Sequence, residues 1–199
     1  YRPVDKRENY IKRCVGMPGD SLQVINRQVY IDGKKADNPE MMQFQYLVQT
    51  DGSSINPKIL DRLNITEYSR LNKPGLFMFV LNEGSKKELE KLPIVKKVEA
   101  INEEAGEWSQ SVYPQDSRYQ WNRDNYGPIY IPAKDVAIPL NLDVLPLYER
   151  LITVYEGNTL NVVDGKILIN GKEETSFTPK LNYYWMMGDN RHNSADSRY

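Results

Sequence analysis

The sequence predicts a mainly β protein, an antiparallel framework interrupted by an inserted α+β segment, on three observations. Two stretches far apart in the chain repeat one hairpin pattern without a gap. Each repeat carries turn dipeptides suited to tight reversals. The region between the repeats changes character, alternating strand-like with helix-like runs.

The elements follow in order. From Tyr10 to Val15, strand alternation puts Tyr10, Lys12 and Cys14 on one face and Ile11, Arg13 and Val15 on the other. A Gly-Met-Pro-Gly turn ends that run at Gly19. Gly19-Asp-Ser-Leu-Gln-Val-Ile-Asn-Arg-Gln-Val-Tyr-Ile-Asp-Gly-Lys34 then aligns with Gly157-Asn-Thr-Leu-Asn-Val-Val-Asp-Gly-Lys-Ile-Leu-Ile-Asn-Gly-Lys172. Both read as two short strands of branched residues around a tight turn, Asn26-Arg27 or Asp164-Gly165, because such turns need positive φ. Asp32-Gly33 and Asn170-Gly171 close each unit. Duplication and the general likeness of hairpins explain the match equally well.

Between the repeats, Met42 to Thr50 alternates like a strand. Pro57 to Leu63 reads as a helix, with Asn56 as its N-cap and Pro57 in the first helical position. Leu76 to Leu81 reads as a buried strand. Ser85 to Glu88 has the spacing of a capping box, opening a short helix that Pro93 ends. Ile94 to Ile101 is another strand. This β-α-β-α-β order, over residues 41–102, predicts a compact insertion. Trp108 to Pro132, rich in Tyr, Trp, Asn and Pro, reads as an ordered loop. Leu145 to Tyr155 carries Leu147, Leu151, Ile152 and Tyr155 at helical spacing, with Gly157 just past its end. The expected division is a core built from residues 1–37 and 131–199, with 38–130 inserted.

Composition narrows the function. The 199 residues carry 26 Lys+Arg against 27 Asp+Glu, a net charge of -1, which argues against nucleic acid as a partner. The single cysteine, Cys14, excludes an intrachain disulfide framework and a cysteine-cluster metal site. The single histidine, His192, excludes a multi-histidine metal site. No metal or cofactor is expected, since no glycine-rich phosphate loop or dinucleotide fingerprint occurs either. No apolar run reaches the roughly 18–20 residues that span a bilayer. The chain starts without an initiator methionine and stops inside a motif, so a fragment of a longer protein is expected, with any anchor upstream.

Chemistry concentrates at the two ends. Gly188-Asp-Asn-Arg-His-Asn-Ser-Ala-Asp-Ser-Arg-Tyr199 is dense in hydrogen-bonding groups and nearly free of apolar ones. His192 within it reads as a surface or loop histidine, and Cys14 as a small buried hydrophobe. Lys12 is the remaining candidate base. An exposed lysine, with a pKa near 10.4, is protonated at pH 7, and burial in an apolar pocket is what would free its lone pair. The plain alternative is a solvated strand lysine. Likewise Asp196 and Arg198 read equally as a surface ion pair, and Ser194 as a turn cap. Ser21, beside Asp20, starts a hairpin strand and is a poor nucleophile candidate.

Tyr10-Ile-Lys-Arg-Cys-Val-Gly-Met-Pro-Gly-Asp20 resembles the lysine-bearing box of bacterial type I signal peptidases, and the terminal run resembles that family's C-terminal box, in the same order. The resemblance implies a β-barrel-like catalytic core with a variable inserted cap, and a serine-lysine endopeptidase that removes signal peptides from exported preproteins. Lys12 matches the general base and Ser194 the serine that orients it. Asp196 and Arg198 match the pair that supports the site. Tyr10 and Ile11 match the strand along which substrate lies. The implied partners are preprotein signal peptides and the membrane surface. The implied location is the cell membrane, held by an upstream anchor, with the catalytic part on the extracytoplasmic (periplasmic) side.

One departure matters. The family's nucleophile lies in a Ser-x-Met-x-Pro-Thr type box upstream of the lysine box, and no such box occurs in these 199 residues. Tyr1 to Asn9 is too short to hold it. The oxyanion-hole donors belong to the same stretch. The chain alone is therefore expected to be inactive. Two other readings stay open: a non-catalytic β-rich binding or assembly module, and a self-cleaving protease domain of the LexA type.

Overall fold

The computed structural model describes residues 10–199. Residues 1–9, the start of the first expected core segment and the stretch judged too short for the serine box, lie outside the described residues. The strands in chain order are β1 (Arg13–Gly16), β2 (Ser21–Ile25), β3 (Gln28–Ile31), β4 (Lys34–Lys35), β5 (Phe44–Thr50), β6 (Tyr68–Arg70), β7 (Leu76–Leu81) and β8 (Val95–Ala100). They continue as β9 (Tyr126–Tyr130), β10 (Ile138–Pro139), β11 (Leu160–Val163), β12 (Lys166–Ile169), β13 (Lys172–Glu173), β14 (Ser176–Phe177) and β15 (Trp185–Met187). The helices are α1 (Pro57–Arg62), α2 (Glu83–Glu90) and α3 (Leu145–Arg150), the last running into a π-type turn, Leu151–Tyr155. The protein is mainly β, with several antiparallel sheets, as the sequence predicts. The described sheets are open, with two to four strands each, and none closes into a barrel.

Backbone contacts divide the chain into two compact units. The first comprises residues 10–13, Asn38–Asn102 and Met187–Asp196. Its sheet has the order β6-β7-β5-β8. Alternation along β5 sends Phe44, Tyr46 and Val48 into a core with Phe77, Phe79 and Leu81 of β7 and with Leu60 and Leu89 of the two helices. Asn56 caps α1, accepting the Lys58 N–H at 3.0 Å, with Pro57 opening the helix as predicted. The start of α2 differs from the expectation. Its cap is Asn82, which accepts the Ser85 N–H at 2.8 Å while the Asn82 N–H donates to Ser85 Oγ at 3.1 Å. Ser85 is the inner partner of that reciprocal box, so the helix begins earlier than Ser85.

The second unit comprises Cys14–Asp37, Glu103–Met186 and Ser197–Tyr199. It holds both repeats. In the first, Leu22 faces Ile31 and Ile25 faces Gln28 across the Asn26-Arg27 turn, and in the second Leu160 faces Ile169 across Asp164-Gly165. All four turn residues have positive φ, between 47° and 77°. The sheets are β4-β3-β2-β9 and β11-β12-β13, with a β10-β14 pair; β1 pairs with β15, whose Trp185 and Met186 lie in this unit. Trp108 to Pro132 contains strand β9, which the sequence reads as loop. Gly127, at φ 85°, lets this strand approach β2 so closely that a Cβ there would sit 2.7 Å from the Leu22 carbonyl. Tyr126 and Trp185 lie 5.3 Å apart between ring centroids in the interior. Burial pushes the Tyr148 phenol up to about 12.

Cys14 is exposed, which corrects the expectation of a buried hydrophobe: the side chain sits at the surface near the Gly16 carbonyl, 3.5 Å away. Among the described residues no helix is long and apolar enough to cross a membrane.

Candidate active site

The first unit holds Lys12, Arg13 and the terminal box up to Asp196. Two backbone hydrogen bonds fix the box to the strand side of the sheet, and a third folds it on itself. The Gln43 N–H donates to the Asp189 carbonyl at 2.8 Å and the Arg191 N–H to the Gln43 carbonyl at 2.9 Å, a parallel bridge extending β5. The Asn193 N–H folds back onto the Asn190 carbonyl at 3.3 Å.

His192 is buried, against the surface position expected of it. Its Nδ1 accepts the Gln45 N–H at 3.2 Å and its ring meets Phe44 edge-on at 5.3 Å. His192 thus fastens the box to β5.

The chain turns at Gly188 so that Ser194 folds over it. A Cβ on Gly188 would overlap Ser194 Oγ, come within 2.7 Å of Ser194 Cβ, and touch Lys12 Nζ at 3.5 Å. The lysine amine and the serine hydroxyl therefore both lie beside Gly188, at a position that only glycine leaves vacant. No hydrogen bond joins them: among the described residues, Ser194 Oγ is buried and has no partner. A buried hydroxyl with unused donor and acceptor capacity is unusual, because leaving it so costs about 1–3 kcal/mol. Lys12 is itself partly exposed, opening with Ile11, Arg13 and Asp189 onto a surface depression.

Arg13 and Asp189 brace the two segments. The guanidinium donates through Nε at 2.9 Å and Nη2 at 2.8 Å to the two carboxylate oxygens. These hydrogen bonds, with the positive charge behind them, hold the Asp189 carboxyl below its ordinary value. The Asp196 carboxylate accepts the Gly188 N–H at 3.1 Å, tying the end of the box to its beginning.

Of the remaining candidates, Tyr10 and Ile11 precede β1 and are strongly exposed, Ile11 at 92%. The Tyr10 ring lies 5.8 Å from Lys12 Nζ, in keeping with a shared face. Arg198 belongs to the second unit, where it is fully buried and donates to the Arg123 carbonyl at 3.1 Å. A solvated Arg198 is thereby excluded. Sequence reasoning missed Glu67, whose carboxylate accepts from the side chains of both Asn190 and Asn193. Its separation of over 120 residues from them left no local signal. Among the described residues no cluster of His, Cys, Asp or Glu is arranged to hold a metal ion.

The family model described as signal peptidase, peptidase S26, matches residues 1–104, just over half of the chain. The chain belongs to the S26 signal peptidase family, and specifically resembles its type I members. It is 38% identical over 50 residues to signal peptidase I of Bacillus amyloliquefaciens, a match covering 25% of this chain and 27% of that protein. With signal peptidase I S of Bacillus subtilis strain 168 the identity is 41% over 44 residues, covering 22% and 24%. With signal peptidase IB of Staphylococcus aureus it is 43% over 35 residues, covering 18% of each. The chain thus spans about a quarter of the length of the Bacillus relatives it matches. No solved structure matches it significantly.

Proposed function

We propose that this chain is part of a type I signal peptidase, a serine-lysine endopeptidase that removes N-terminal signal peptides from exported preproteins. One observation carries the proposal: Lys12 Nζ and the buried, unpartnered Ser194 hydroxyl converge on Gly188. In this reading Lys12 is the general base. Its amine takes the proton of the nucleophilic serine as that oxygen attacks the scissile carbonyl, and later returns one to the leaving amine. Ser194 orients the amine through a hydrogen bond that forms as the site closes on substrate, since catalytic hydrogen bonds often tighten only then.

Asp196 supports the turn at Gly188, and Arg198 is the second residue assigned a supporting role. Tyr10 and Ile11 offer exposed edge backbone and side chains to an extended substrate. The nucleophile matches no residue of these 199, so the chain by itself is inactive. The partners are preproteins at the membrane surface. The enzyme sits at the cell membrane, its catalytic part on the extracytoplasmic side, held by an anchor outside these residues.

The test is cleavage of a preprotein with small residues before the cut. The full-length protein is expected to release the mature chain, and the 199-residue chain to leave the preprotein intact. A full-length protein that cleaves no preprotein contradicts the proposal.

A further inference from the structure

We infer that Glu67, from the middle segment of the chain, is a positioning residue for this site; the inference rests on the peptidase reading above. Glu67 lies just before β6, and its backbone is tied to the sheet, its carbonyl accepting the Val80 N–H at 3.0 Å. Its two carboxylate oxygens serve different asparagines of the box. Oε1 accepts from Asn190 Nδ2 at 3.2 Å and Oε2 from Asn193 Nδ2 at 2.9 Å.

Those asparagines form the turn that leads directly into Ser194. Asn190 Oδ1 accepts the Asn193 N–H at 3.2 Å, which leaves its Nδ2 to point at Glu67. Each asparagine is thus oriented by the other and by the same carboxylate. The box is also held by Gln43 and by the bond between Gln45 and His192. Glu67 adds a second anchor, at the turn immediately before Ser194.

The chemistry favours a carboxylate at this place. Two N–H donors arriving side by side need two acceptors, and an ionised carboxylate offers only acceptors. Glutamine keeps one acceptor and would turn its own NH2 toward the other asparagine. Charge also strengthens both bonds relative to neutral ones. The middle segment, whose sequence gives no hint of chemistry, therefore contributes to the site by aligning the Ser194 hydroxyl with the Lys12 amine through the asparagine turn.

Two measurements test this. In Glu67→Ala, backbone amide exchange at Asn193 and Ser194 is expected to quicken about tenfold on loss of the two charge-assisted hydrogen bonds from the asparagine side chains, while amides of β5 and β7 keep their rates. In the full-length protein, kcat for preprotein cleavage should fall about tenfold in Glu67→Ala and less in Glu67→Gln, with KM unchanged, because the effect lies in alignment and not in substrate binding. Exchange at Asn193 that is unaltered in Glu67→Ala overturns the clamp, and a rise in KM with kcat preserved overturns the positioning role. The exchange measurement needs no turnover, so it stands even if the protein proves not to cleave preproteins.

Discussion

Leu22 and Leu160 occupy equivalent places in the two hairpins, yet Leu22 is fully buried and Leu160 is partly exposed. Val24 and Val162 differ more, at 2% and 48% exposure. The sequences of the two repeats are nearly interchangeable, and so are their turns. What differs is the neighbour: β2 lies between β3 and β9, whereas β11 is an edge strand. Local sequence sets the hairpin and distant chain sets its burial. The terminal box extends the lesson, since its anchors include partners more than a hundred positions away, Arg13 to Asp189 and Glu67 to Asn193 among them.

Substitutions can break this contrast, and the largest effect is expected in the box. Gly188→Ala places a methyl group where Ser194 now sits, so turnover of the full-length enzyme should drop on the order of a hundredfold, as misplacement by about 1 Å does at other sites. Preprotein cleavage at the parent rate by this variant would show that the close approach is dispensable. The hairpins sharpen the contrast next. Leu22→Ala should cost about 3 kcal/mol of folding stability, and Leu160→Ala less than about 1 kcal/mol, both read by denaturant titration. Equal losses would mean that the repeats share an environment after all.

The smallest effect is electrostatic. Asp189 has a depressed pKa in the folded protein, so its bridge to Arg13 stabilises above the ordinary aspartate value near 3.9 and is lost as pH falls through the depressed one. The bridge is largely exposed and contributes little. Asp189→Asn should therefore lower the Tm by no more than a few degrees at pH 6, with the difference shrinking as the pH falls below the ordinary aspartate value. A difference that stays constant as the pH falls would assign the loss to something other than charge.

Legibility followed the same divide. Both hairpins, their turns, the β5 and β7 strands and the Asn56 cap could be read because each is written in a few consecutive residues. Strand β9 could not: Gly127 and Pro128 give it the composition of a loop, and only pairing with β2 makes it a strand, one where an edge position tolerates the missing proline N–H. Strand β6 has three exposed residues and no alternation to detect. At the candidate site, motif resemblance points to Lys12, Ser194 and Asp196, but the burial of His192 and Arg198 could not be foreseen. Polar residues are read as surface unless their partners are known, and the partners here are a backbone amide on β5 and a carbonyl at Arg123.

The chemistry proposed for the site turns on the proton-accepting role of Lys12. Cleavage of a preprotein by the full-length Lys12→Met variant, with its fold checked by circular dichroism, measures that role directly. Loss of all turnover in a protein that keeps its parent spectrum is the predicted result. Undiminished cleavage would contradict it, and with it the site built around Gly188 and Ser194.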